Sequence, residues 1–207
     1  MFELKVQIKG SNSALEHLET TLHSWLHVVR EYTYRVPKDL NDPNNKDYAW
    51  WSKERPQVGF LAIAAWLNGW AVLEEWGTRK SDGWGRNDLW IGRGETEFFI
   101  EAKQGCCFIE EDEEIIEKRL REHFVSAQNS ARQLVEEKRG KRIAAVFITP
   151  SWRLSDQLGF EKAREVWIQK VSHVADAVAL IVPSWNNCAR GKDGHRYVGS
   201  ALLLATV

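Results

Sequence analysis

The chain is poor in the features that mark secreted or membrane-embedded proteins. Its three cysteines, Cys106, Cys107 and Cys188, contain no Cys-x-x-Cys pair and make no even set, which excludes a disulfide framework and predicts reduced thiols. Two adjacent cysteines without a partnering His or Cys motif are also a poor site for a soft metal. The longest apolar run, Val58 to Leu67, is too short to span a bilayer, so no membrane partner is expected. The opening residues Met1-Phe2-Glu3-Leu4-Lys5 lack a basic region followed by an apolar one, so a secretory signal is not expected and a cytoplasmic protein is. There is no excess of either charge: 28 Lys and Arg against 29 Asp and Glu leave a net charge of −1. A nucleic-acid partner would therefore have to be gripped by a local basic patch. No Gly-rich phosphate loop points to an NTPase. No repeat, linker or low-complexity segment appears, so residues 1–207 are expected to form a single domain, with 1–50 a helical N-terminal extension packed on the core.

Tryptophan is abundant, with 11 residues. Most are expected to fill the core, and some could serve as stacking platforms for bases.

Periodicity supplies the elements. Phe2, Leu4, Val6 and Ile8 alternate with polar residues as in a half-buried strand, and Leu15, Leu18, Leu22, Trp25, Leu26 and Val29 recur at helical spacing, predicting a helix from Ser13 to about Tyr32. His23 and His27 lie one turn apart on it, but without a third ligand they read as a solvated face. Val36 to Asn45, with two prolines and several Asn and Asp, is expected to be loop. A nearly all-apolar helix from Glu54 to Leu67 ends at Asn68-Gly69. Trp70 to Trp76 reads as a strand and Thr78 to Gly85 as a loop. A long helix begins in the acidic run Glu110–Glu114 and reaches about Lys138, with bases at its far end, as the helix dipole favours. Then follow a strand from Arg142 to Thr149, a helix from about Ser155 to His173, and strands over Ala177–Val182 and Tyr197–Val207. Antiparallel strands followed by a crossover helix and another strand imply a mixed sheet flanked by helices.

The stretch Arg86 to Gln104 carries the chemistry. Two aromatic and β-branched runs flank a turn with Gly92 and Gly94, the pattern of a β-hairpin. If Ile91 pairs with Phe98, the same register sets Asp88 opposite Glu101, close enough to share a divalent cation. Strand alternation puts Lys103 on the same face as Glu101. Hard oxygens suit Mg²⁺ or Mn²⁺, and a nearby ammonium can polarise a water or a phosphate oxygen. Metal-assisted phosphodiester hydrolysis is the chemistry this favours. Glu-x-Lys occurs at Glu3, Glu101 and Glu136, but only Glu101 has both a strand context and an Asp opposite it.

Asp88, Glu101, Ala102 and Lys103, on this succession of elements, resemble the PD-(D/E)XK nuclease superfamily over roughly residues 54–149. Asn87 stands where that family's name has Pro. The resemblance implies an α/β fold with a restriction-endonuclease-like core, a mixed central sheet flanked by helices in the order αβββαβ. It implies Asp88 and Glu101 as metal ligands with the carbonyl of Ala102, and Lys103 orienting the attacking water. A further acid from the first strand or the preceding helix would be Glu75, Glu74 or Glu54, with Glu75 favoured. The expected partner is nucleic acid, DNA first, in restriction, repair, mobile-element processing or phage defence, and a homodimer would suit cutting both strands of a duplex. The alternative is a catalytically inactive module of the same fold that binds nucleic acid or protein. Gln104 follows the lysine and is a candidate contact to the site or a phosphate, although its parity with Ala102 points it to the other face; Gln128, Arg132 and Gln133 on the long helix lie where such proteins often touch substrate. The cluster from Lys138 to Arg142, including Lys141 and Arg142, and the loop with Arg190, Lys192, His195 and Arg196 are candidate phosphate contacts.

Overall fold

The computed structural model describes residues 2–10, 12–35, 37–39, 42–46, 49, 53–80, 83–134, 140–153, 157–185, 188–190 and 195–207. Along them run β1 (Phe2–Ile8), α1 (Ser13–Glu16), α2 (Glu19–Arg35), β2 (Pro37–Asp39), β3 (Asp42–Lys46), α3 (Glu54–Leu67), β4 (Ala71–Lys80), β5 (Gly83–Arg93), β6 (Thr96–Phe108), α4 (Glu113–Arg132), β7 (Gly140–Trp152), α5 (Gln157–Val174), β8 (Ala177–Pro183), β9 (Ala189–Arg190), β10 (Arg196–Tyr197) and β11 (Ser200–Thr206). The main sheet has the order β1-β8-β11-β7-β6-β5-β4, with β10 paired to β7 and β9 paired to β10. β6 and β7 are parallel, joined by α4, and the other pairings are antiparallel. This is the mixed, helix-flanked α/β sheet expected.

The central strand explains the layering. In β7, Ile143, Ala145 and Phe147 point into a core shared with α1, α2 and α3, while Ala144, Val146 and Ile148 point into a second core beneath α4 and α5. A strand covered on both faces reads as a continuous apolar run and not as an alternation. Tryptophan serves both layers: Trp25 and Trp70 are buried in the first, and Trp152, Trp167 and Trp185 in the second. Trp66 and Trp76 are exposed. No helix among the described residues is long and apolar enough to cross a membrane.

Several elements depart from expectation. The first helix is interrupted: Asn12 caps α1 by accepting from Leu15 N, and the chain turns at His17 before α2, yet Leu15 and Leu18 both stay in the core. Residues 37–46 include a small antiparallel β2–β3 pair where a loop was expected. The 1–50 segment is more than a helical extension, because β1 pairs with β8 along its whole length and so belongs to the main sheet. Within the expected loop Thr78–Gly85, residues 78–80 and 83–85 are strand. Thr78↔Gly85, Arg79↔Trp84 and Lys80↔Gly83 extend the β4–β5 ladder, a case of cross-strand pairing overriding local propensity. The acidic run begins before the helix, Glu110 pairing with Arg153 and Glu111 with Arg119, and Asp112 is the N-cap of α4, which ends at Arg132; residues 135–139 lie outside the described set.

All three cysteines are free; Cys106 is exposed and the other two are buried. Burial pushes the thiols of Cys107 and Cys188 up to about 12 each. The thiolate is the reactive form, so a thiol reagent at neutral pH is expected to label Cys106 promptly and the other two only on unfolding. Prompt labelling of all three in the folded protein would contradict this packing.

Candidate active site

Asp88, Glu101 and Lys103 sit where two strands separate. The β5–β6 turn uses Gly94 at φ +62°, a conformation glycine adopts without a Cβ clash. From there the ladder runs from Arg93↔Thr96 through Ile91↔Phe98 to Leu89↔Ile100, the register expected. One more step would pair Asp88 with Glu101, and there the ladder stops. β5 continues against β4 alone, from Asn87↔Trp76 to Gly83↔Lys80, and β6 continues against β7 alone, from Glu101↔Ala144 to Phe108↔Ser151. The sheet forks.

A fork leaves backbone N–H groups of β6 without a strand partner, and alternate residues of a strand present theirs to the same edge. Two carboxylates take the place of the missing strand. Asp88 Oδ2 accepts from the N–H of Ala102 at 2.7 Å. Glu54, the first residue of α3, accepts from the N–H of Gln104. Lys103 lies between these two donors. Burial raises the carboxyl of Glu54 above its ordinary value; the charge of Lys103 and the Gln104 N–H oppose the rise, and the negative charge of Asp88 adds to it. Asp88, Glu54 and Lys103 are all partly exposed, whereas Glu101 is only 4% exposed. Ala102 faces the first core, so its neighbours Glu101 and Lys103 face the α4 side.

The three candidates for a further acid are placed differently. Glu54 is in electrostatic contact with Asp88 and Lys103. Glu75 is bound by Arg55 and by Arg86 (3.2 Å) on a backbone with φ +50° that the β4–β5 ladder skips. Glu74 lies on the α3 side against Gly59. Asn87, fully buried where the family's name has Pro, donates from Nδ2 to the carbonyl of Leu89 at 2.8 Å, a local side-chain-to-backbone bond beside Asp88.

The carboxylates of Asp88 and Glu54, with the carbonyl of Ala102, are hard donors that could contribute to a Mg²⁺ or Mn²⁺ shell. Among the described residues no three carboxylate, imidazole or thiolate groups gather closely enough to enclose an ion. Mg²⁺ commonly binds through one or two carboxylates and completes its shell with water and substrate phosphates, so the donor set fits an ion of that kind.

The expected phosphate contacts are scattered. Gln104 contributes its backbone to the fork. Lys141 and Arg142 lie beside Phe98 and Phe99, and Phe98 is five residues before Lys103, about 16 Å along the strand. Arg142 there donates to the carbonyls of Arg132 and Leu134, closing the end of α4, and Arg132 bonds Asn129. Gln128 lines a small cavity with Asp176 and Thr206, and Gln133 is the C-cap of α4. Arg196 stacks on Trp185 at 3.8 Å, and His195 meets Phe108 edge-on. Lys138, Arg139 and Lys192, and the side chain of Arg190, lie outside the described residues.

The shifted Glu54 has a consequence for stability. A carboxyl raised on folding makes the native state bind more protons than the unfolded chain between the two pKa values, so stability falls as pH rises through that window. Glu54→Gln keeps an acceptor for Gln104 and removes the ionisation. It is expected to melt above the wild type at about pH 7–8, with the gap closing toward about pH 4, where both are neutral. A lower melting temperature than wild type at neutral pH would show that attraction to Lys103 outweighs burial. No family model, curated protein or solved structure matches the chain.

Proposed function

We propose that this chain is a metal-dependent nuclease that hydrolyses phosphodiester bonds in DNA on a restriction-endonuclease-like core of α3, β4, β5, β6, α4 and β7. The observation that carries this reading is the fork, where Asp88 and Glu54 lie against consecutive edge N–H groups of β6 with Lys103 between them. The repulsion of the two acids contributes to the rise at Glu54, and a divalent cation would relieve it. Asp88, Glu54 and the carbonyl of Ala102 would hold that ion, and when bound it supplies Lewis acidity toward a phosphate oxygen and an activated water. Lys103, an ammonium on a flexible stem, orients the attacking water and offsets charge building on the phosphate oxygens. Ala102 and Gln104 hold the two acids through their backbones, so the acids need little rearrangement when substrate enters.

The test is incubation of purified protein with supercoiled plasmid and with linear DNA in Mg²⁺ or Mn²⁺. Cleavage by the wild type that is lost in Asp88→Ala and Lys103→Ala supports the assignment, and cleavage that survives in either variant puts the chemistry elsewhere. A second reading, a non-catalytic module of the same fold, draws on one observation: both acids already satisfy backbone donors and so have a structural use without any ion.

A further inference from the structure

The strand face that carries Glu101 and Lys103 continues at Gly105, and a side chain from α4 fills the space this glycine leaves. A methyl group at Gly105 would lie 2.8 Å from Nε2 of His123 and closer still to the ring carbons. The imidazole therefore rests on the β6 backbone, and a larger residue at 105 would push it away. His123 is partly exposed.

The orientation of α4 decides which way this imidazole faces. Lys170 of α5 reaches Glu113 and Glu117, both at 3.3 Å, so that flank of the helix faces α5. Ile116, Leu120, Phe124 and Ala127 point down into the core. His123 lies on the remaining flank together with Arg119, four residues earlier and hence one turn away. Arg119 extends over Phe108 of β6, 5.8 Å from the ring centre, and Arg153 stacks on the same ring at 4.0 Å. A row of donors thus leads from Lys103 past His123 to Arg119, along the part of β6 that β5 has left.

We propose that His123 binds substrate at the fork, its imidazole donating to a phosphate oxygen of the nucleic-acid strand next to the scissile bond, and that Gly105 is required because it admits the ring. Side-chain donors to phosphate oxygens fix the register of a nucleic acid on a protein, which is the role assigned here. Lys103 acts at the reacting phosphate and His123 at its neighbour. Arg119, one turn further, continues the path, its guanidinium held meanwhile by Glu111 at 2.9 Å. The inference rests on the nuclease reading for its substrate, but binding tests it apart from cleavage.

The experiment measures fluorescence anisotropy of a labelled DNA duplex in EDTA, beside cleavage of the same duplex in Mn²⁺. The proteins are wild type, His123→Ala, His123→Gln, Gly105→Ala and Asp88→Asn, each checked for folding by circular dichroism. His123→Ala is expected to weaken binding about ten- to a hundredfold, the worth of a hydrogen bond to a charged group. His123→Gln, which keeps a donor, restores part of the loss, and Gly105→Ala, which keeps the histidine but displaces it, reproduces it. Folded His123→Ala that binds as wild type overturns the assignment, while loss of cleavage in Asp88→Asn would leave the nuclease reading standing. Weakened binding by His123→Ala in a protein that cuts no DNA would support the phosphate contact and overturn hydrolysis. A wild type that does not bind the duplex overturns both.

Discussion

Asp88→Asn is expected to lower metal-dependent DNA cleavage by about a hundred- to a thousandfold, the range for removing one electrostatic contributor from an active site, with little change in melting temperature. The near-isosteric amide explains the split. Its oxygen can still accept the N–H of Ala102, now held at 2.7 Å by the carboxylate, so the edge of β6 stays satisfied. Only the charge is removed. Asp88→Ala, in contrast, strands a backbone donor and should lose both activity and about 1–3 kcal/mol of stability. Lys103→Ala should cost about a hundred- to ten-thousandfold in rate, as for a positioned group that manages protons or charge in the transition state, and should leave ion binding in place. Equal rates in Asp88→Asn and wild type would assign the carboxylate a purely structural role.

Trp25→Ala is expected to cost about 3–5 kcal/mol, a large part of the about 5–15 kcal/mol that holds a domain together. For a chain of this size that lowers the melting temperature by about 6–20 °C. Trp25, on α2, is completely buried and packs at 6.2 Å between ring centres against Phe147, in the middle of the central strand β7. With β1 in the main sheet, the first thirty-five residues bear on the same core as the fork. Thermal unfolding followed by circular dichroism measures the loss. A drop of less than about 1 kcal/mol, the scale of a surface substitution, would show the N-terminal segment to be peripheral.

The features legible in the sequence were those set by period and parity. The apolar stripe of α3, with Asn68 and Gly69 after it, gives that helix its observed limits, and the Ile91↔Phe98 register follows from the position of Gly94 in the turn. Parity also places Glu101 and Lys103 on one face. What was not legible depends on where strands part. Two strands of the right composition are expected to pair to their ends, and nothing local says that β5 leaves β6 after Leu89 while staying with β4. That departure turns Asp88 from a cross-strand neighbour of Glu101 into the acceptor for Ala102 and opens the edge that Glu54 fills. Sequence alone offers Glu54, Glu74 and Glu75 as acids and favours Glu75, whereas it is Glu54 that lies near Asp88 and Lys103, because that depends on α3 delivering its first turn to Gln104. The arginines that bind Glu75 come from α3 and β5, a three-element contact no window of sequence contains. Gly105 likewise has a purpose only once α4 lays His123 over it.

Calorimetric titration of wild type and Asp88→Asn with Mn²⁺ tests most directly whether the fork is a metal site. Both proteins keep the Ala102 cap in this account, so a difference between them reports the charge at position 88. The wild type should show saturable binding that Asp88→Asn loses or weakens at least about tenfold, and Lys103→Ala should retain it. Absence of Mn²⁺ binding in the wild type, or equal binding in Asp88→Asn, would contradict the account and leave Asp88 and Glu54 as caps of a strand edge.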